Sequence, residues 1–89
     1  MEIDFSFMFN ECSSLSEVKE LQNWNVSNGD KFNCMFYECL LLSDIKVLEN
    51  WNVSKRNDFD HMFSDCLLLL NIKTLQKWNL LQFKYASMI

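Results

Sequence analysis

Met35-Phe36-Tyr37-Glu38-Cys39-Leu40-Leu41-Leu42 opens a unit that runs through Ile45 and Leu48 to Trp51-Asn52, and the same skeleton occurs three times. Twenty-seven residues earlier stand Met8-Phe9, Cys12, Leu15, Val18, Leu21 and Trp24-Asn25. Twenty-seven residues later stand Met62-Phe63, Cys66, Leu69, Ile72, Leu75 and Trp78-Asn79. Lys19, Lys46 and Lys73 keep the same step. A fixed period of about 20–50 residues marks a repeat architecture, in which each unit buries its side chains by stacking on the next. The chain reads as one domain over residues 1–89, with units at about 8–34, 35–61 and 62–88. Residues 80–89 leave the register, with Ala86 where a Phe is due, and are read as a C-terminal cap over the last unit.

Inside a unit two rhythms follow one another. Phe32, Met35, Phe36 and Cys39 lie at offsets 0, 3, 4 and 7, one stripe of an α-helix, as do Phe5, Met8, Phe9, Cys12 and Phe59, Met62, Phe63, Cys66. That spacing predicts a helix of about two to three turns, too short to be stable without packing. Asp58 and Asp60 suit the positive end of its dipole. After the cysteine the apolar positions recur every third residue, at Leu42, Ile45, Leu48 and Trp51 and at their counterparts. This is read as a short strand centred on Val18, Ile45 and Ile72, with successive strands paired in parallel at about 4.8 Å. The expected fold class is an α/β repeat, a leucine-rich-repeat-type solenoid. Two-helix repeats need about 34–47 residues, more than this period offers.

Composition narrows the function. Half the chain is apolar, with eight Phe and three Trp, which is ample for a core; there is no Pro and a single Gly, Gly29. Turns must therefore come from Asn, Ser and Asp. The net charge of −4, with Lys55-Arg56 the one adjacent basic pair, argues against an electrostatic grip on nucleic acid. No stretch approaches the roughly 18 apolar residues of a membrane span. Met1-Glu2-Ile3-Asp4-Phe5 lacks the basic start and apolar core of an export signal.

The pattern Met-Phe-x-x-Cys-x-x-Leu-x-x-[Val/Ile]-x-x-Leu-x-x-Trp-Asn resembles the BspA-like leucine-rich repeat, seen in surface proteins of mycoplasmas, other bacteria and protists and in large DNA viruses. Met8 to Leu15 and Trp24 to Ser27 carry the hallmark, and the match runs over about residues 5 to 81. The resemblance implies a wound leucine-rich-type solenoid, adhesion or protein binding, and no catalytic residues. It allows a cell-surface or virion setting, whereas free-thiol usage favours a reducing intracellular one.

The candidate residues fall into rows. Cys12, Cys39 and Cys66 lack the paired spacing of a metal site, and with Cys34 they are expected to be free, buried thiols. Met8, Met35, Met62 and Trp24, Trp51, Trp78 are structural ladders, and so are Asn25, Asn52 and Asn79, expected to bond turn backbone. His61, the one histidine, shares a repeat position with Cys34; Phe7 and Met88 there point to a generic site, not a Cys–His nucleophile. Two surfaces suit a partner: the row Lys19, Lys46, Lys73 with Glu17 and Asp44, and the strip Leu40, Leu41, Leu67, Leu68, which replaces Ser13-Ser14 of the first unit. The expected function is a non-enzymatic protein-binding or scaffolding module without cofactor or metal. The alternative is a structural protein that self-associates through its ends.

Overall fold

In the computed structural model residues 3–89 are described; Met1 and Glu2, at the head of the stretch read for an export signal, lie outside them. The N–H groups of Phe5, Phe7, Phe9 and Glu11 donate to the carbonyls of Lys31, Asn33, Met35 and Tyr37 at 2.7–3.1 Å. One unit on, Phe32, Cys34, Phe36 and Glu38 donate to Asp58, Asp60, Met62 and Ser64 at 2.8–2.9 Å. Every alternate residue of each of these two runs is thus tied to the next coil, 26 residues ahead.

The α-helix expected over Phe5–Cys12, Phe32–Cys39 and Phe59–Cys66 is not formed. Each segment is a run of tight turns in which the intervening N–H groups close i→i−3 bonds, such as Met35 to Phe32 and Cys39 to Phe36. The residues Phe7, Glu11, Cys34, Glu38, His61 and Asp65 sit at φ of 56–61°, the left-handed region, once every four residues. That conformation costs a side-chain-bearing residue about 1–2 kcal/mol. In exchange the backbone turns half its donors outward along the stack, where an α-helix would use every N–H within itself. The stripe at offsets 0, 3, 4 and 7 does face inward: Phe32, Met35, Phe36 and Cys39 are all buried. Periodicity identified the buried side chains, and a second backbone with the same inward set replaced the helix.

The expected strand is also corrected. Val18, Ile45 and Ile72 are buried, but their backbone leads directly into 3-10 helices at Lys19–Leu21, Lys46–Asn50 and Lys73–Trp78. Apolar residues every third position match the three residues per turn of that helix. Strand pairing there shrinks to one parallel bridge, Glu17 to Asp44. Parallel pairing is instead found ahead of each aromatic, where β1 (Ile3–Asp4) pairs with β2 (Gly29–Lys31) and Lys31 bridges to Asp58.

The core is built of like on like. Phe5, Phe32 and Phe59 stack at 5.4 and 5.5 Å between ring centres, and Phe9, Phe36 and Phe63 at 5.5 Å, with planes within 13°. Each Trp closes its coil against a Phe, Trp51 lying 6.3 Å from Phe32 and Trp78 5.3 Å from Phe59. The indole N–H of Trp51 donates to Leu21 O at 2.9 Å and that of Trp78 to Leu48 O at 2.8 Å. The thiols of Cys39 and Cys66 donate to Phe9 O and Phe36 O. Gly29 is needed because a Cβ there would lie 2.5 Å from Phe32 Cζ and 2.9 Å from the Phe5 ring.

The chain closes with α1 (Gln82–Ser87). Ser87 O and Met88 O accept the His61 and Phe63 N–H groups, and Tyr85 Oη donates to Leu75 O at 2.8 Å, the place a Trp takes on the other coils. Leu80, Tyr85 and Met88 are buried against the last coil.

Candidate functional site

The lysine row begins the 3-10 helices. The backbone N–H of Lys19 bonds Glu17 Oε2 at 2.7 Å, that of Lys46 bonds Asp44 Oδ1 at 3.1 Å, and that of Lys73 bonds Asn71 Oδ1 at 3.0 Å. Glu17 and Asp44 thus hold the helix start, a side-chain bond to an otherwise unpartnered amide. The three ammonium groups remain exposed, and among the described residues the one ion pair is Lys77 with Glu49, at 3.1 Å.

A groove of about 300 Å³ is lined by Glu17, Lys19, Asp44, Lys46, Val47 and Glu49. A second, of about 370 Å³, is lined by Asp44, Lys46, Leu68, Leu70, Asn71 and Thr74. The two share Asp44 and Lys46, so the fold brings part of the charged row and part of the leucine strip onto one face. Lys73, Leu40, Leu41 and Leu67 stand outside both grooves. The strip stays uncovered by the tail: Leu67 is 72% exposed and Leu40, Leu41 and Leu68 are also exposed. Sequence reasoning missed Leu70, at 93% the most exposed of the leucines. The signal was present, because in Leu67-Leu68-Leu69-Leu70 only Leu69 occupies a repeat position and turns inward.

Glu49 joins two coils. Thr74 Oγ1 donates to its Oε2 at 2.5 Å and Lys77 to its Oε1, and these bonds, Thr74 first, hold the carboxyl below its usual range.

A separate depression of about 650 Å³ collects the left-handed residues Phe7, Glu11, Cys34, His61 and Asp65 with Tyr37 and Ile89. Here Cys34 and His61 do come together, as their shared repeat position implied. The His61 Nδ1 is hydrogen-bonded to Ser64 Oγ at 3.0 Å. Burial, and then Asp58 and Asp60, raise the Cys34 thiol, the reverse of what activates a nucleophile. Partial desolvation, followed by the carboxyls of Glu11 and Asp65, raises the Glu38 acid. A carboxyl with a raised folded pKa favours the native state while protonated and opposes it as pH rises through that pKa. Glu38→Gln is therefore expected to raise the melting temperature at pH 7, with the gain shrinking as pH falls into the carboxylate range. Thermal melts across that range check it; a gain that grows on acidification would contradict the repulsion.

All four cysteines are free. Burial pushes the Cys39 thiol up to about 11, and Cys66 is raised for the same first reason. Native-state alkylation of Cys39 at pH 8 is expected to be slowed by at least tenfold against the unfolded chain, read by mass spectrometry. Equal rates would contradict its burial.

Among the described residues, only Asn25 of the asparagine row bonds turn backbone as expected. Asn25, Asn52 and Asn79 are exposed, and they do not repeat one role. Asn25 Oδ1 accepts from Ser27 N and Oγ, while Asn79 takes the left-handed position after the third 3-10 helix. The buried structural asparagine is Asn57, which donates to Gly29 O at 2.9 Å and accepts from Ser54 N. Among the described residues no group of three His, Cys, Asp or Glu could hold a metal ion, and no helix is long and apolar enough to cross a membrane.

No curated protein and no solved structure matches the chain. A family model described as a Mycoplasma protein of unknown function, DUF285, matches residues 3–89. With nearly the whole length matched, the chain belongs to the DUF285 family of mycoplasma proteins of unknown function.

Proposed function

We propose that the chain is a leucine-rich-repeat-type solenoid of three 27-residue coils that works without catalysis, binding a protein partner on the face carrying Lys19, Lys46, Leu68 and Leu70. The observation behind this reading is the pair of grooves joined at Asp44 and Lys46. Unpaired ammonium groups beside exposed leucines suit a partner segment that is acidic and partly apolar. Such a contact takes its orientation from the charges and its affinity from the apolar area. Lys19→Glu, Lys46→Glu and Lys73→Glu together are expected to abolish capture of that partner while leaving the melting temperature within a few degrees. Unchanged capture would remove this face.

A further inference from the structure

The stack has a direction. In the turn run, alternate N–H groups point toward the C-terminal end and alternate carbonyls toward the N-terminal end, since Phe7, Phe9 and Glu11 donate forward to Asn33, Met35 and Tyr37. The first coil therefore presents the carbonyls of Ser6, Met8 and Asn10, which have no donor among the described residues. Two donors on this coil also lack the acceptor their counterparts use. Among the described residues the Trp24 indole has none, where Trp51 reaches Leu21 O, and neither has the Cys12 thiol, where Cys39 reaches Phe9 O. The apolar surface is open as well: Met8 is 44% exposed against 0% for Met35, and Trp24 38% against 4% for Trp51.

We infer that this first-coil face is a docking surface for another polypeptide of the same repeat class, which seats the uncapped forward edge of its last coil there. That edge is the chemical complement of the face. It carries N–H groups at alternate residues for the three carbonyls, a Leu carbonyl for the Trp24 indole and a Phe carbonyl for the Cys12 thiol. Addition of backbone to an open edge is a general recognition mode. The reading goes beyond the lysine and leucine face and is independent of it.

A second copy of this chain does not fit in either orientation. Two first coils placed face to face set carbonyl against carbonyl. The forward edge of the third coil is closed by its own tail, where Ser87 and Met88 take the His61 and Phe63 N–H groups and Tyr85 takes Leu75 O. The tail acts as a stopper on the forward edge, so this 89-residue chain can terminate a stack but not extend one.

The probe is a four-coil chain in which residues 80–89 are replaced by a copy of residues 53–79, leaving both edges open. Its weight-average mass in sedimentation is expected to more than double from low to high micromolar concentration. Excess intact chain should shorten the assemblies, and Met8→Glu in the probe should abolish growth. A folded probe that stays monomeric would overturn the inference, and so would dimers of the intact chain alone. Should the probe not fold, a copy of residues 28–54 fused ahead of Met1 of the 89-residue chain keeps the register and decides the matter. The expected result is a blue-shifted Trp24 emission, slower exchange of its indole N–H and a higher melting temperature. An unchanged Trp24 would overturn the docking surface.

Discussion

Phe36→Ala is expected to lower the melting temperature by roughly 12–40 °C. Phe36 is fully buried and stacked on both sides, 5.5 Å from Phe9 and 5.5 Å from Phe63, with planes within 10° of each. Removing a buried Phe side chain costs about 3–5 kcal/mol in transfer and cavity terms. The void cannot relax easily, because the rings above and below are held by coils that are each tied to the Phe36 coil through backbone bonds. A domain of this size has roughly 4–13 kcal/mol of stability in all. Circular dichroism and tryptophan emission report the loss. A fall in melting temperature of only a few degrees would mean that the phenylalanine ladder is not the centre of the core. Phe9→Ala at the open first coil, half-buried and stacked on one side only, should cost clearly less.

Trp51→Phe tests the polar half of the same design. A phenyl ring can keep the contact with Phe32 but not the indole N–H that reaches Leu21 O at 2.9 Å. Leu21 O keeps the Trp24 backbone N–H at 3.1 Å, so the loss is that of one buried hydrogen bond, about 0.5–1.5 kcal/mol. In a domain of this length each kcal/mol moves the midpoint by about 4–8 °C, so the expected fall is roughly 2–12 °C. The control is Trp24→Phe: that indole has no acceptor among the described residues and is partly exposed, so its loss should be small. Equal effects at Trp24 and Trp51 would contradict the account of the indole bonds. The tail imitates the same contact with the Tyr85 hydroxyl, which ties the exit of the chain to the rule of its interior.

How the chain could be read before its structure was known depended on what each residue had to do. The inward residues were legible because burial is set by the repeat: Phe32, Met35, Phe36, Cys39, Leu42, Ile45, Leu48 and Trp51 are all buried. The backbone between them was not. Offsets of 0, 3, 4 and 7 describe an α-helix, and they also describe a four-residue turn run with left-handed residues at Cys34 and Glu38. Neither residue is a usual left-handed former, since that region favours Gly, Asn and Asp. The cross-coil bonds that compensate for it involve partners 26 residues away, beyond the reach of local pattern. The three-residue rhythm was visible at Ile45, Leu48 and Trp51, and its assignment to a strand overlooked the 3-10 helix that has the same period.

The candidate site was partly legible. Lys19 and Lys46 were found by their spacing, and Leu68 by its departure from Ser14. Asp44 was read as a member of a charged row, yet its carboxylate is occupied by the Lys46 backbone amide. Leu70 was passed over within an apolar run. What no pattern indicated was that both groups meet at one place, because Lys46 and Leu68 are 22 residues apart and become neighbours only through the offset of one coil upon the next.

The central claim, a protein partner on the face shared by Lys46 and Leu68, is tested most directly by site-specific photo-crosslinking in the native host. A photoreactive amino acid replaces Leu68 in one variant and Gln82, on the exposed surface of α1, in another. The account expects one discrete protein adduct from position 68, lost when Lys19, Lys46 and Lys73 are changed to Glu, and none from position 82. Equal adducts from both positions, or none from position 68, would contradict it.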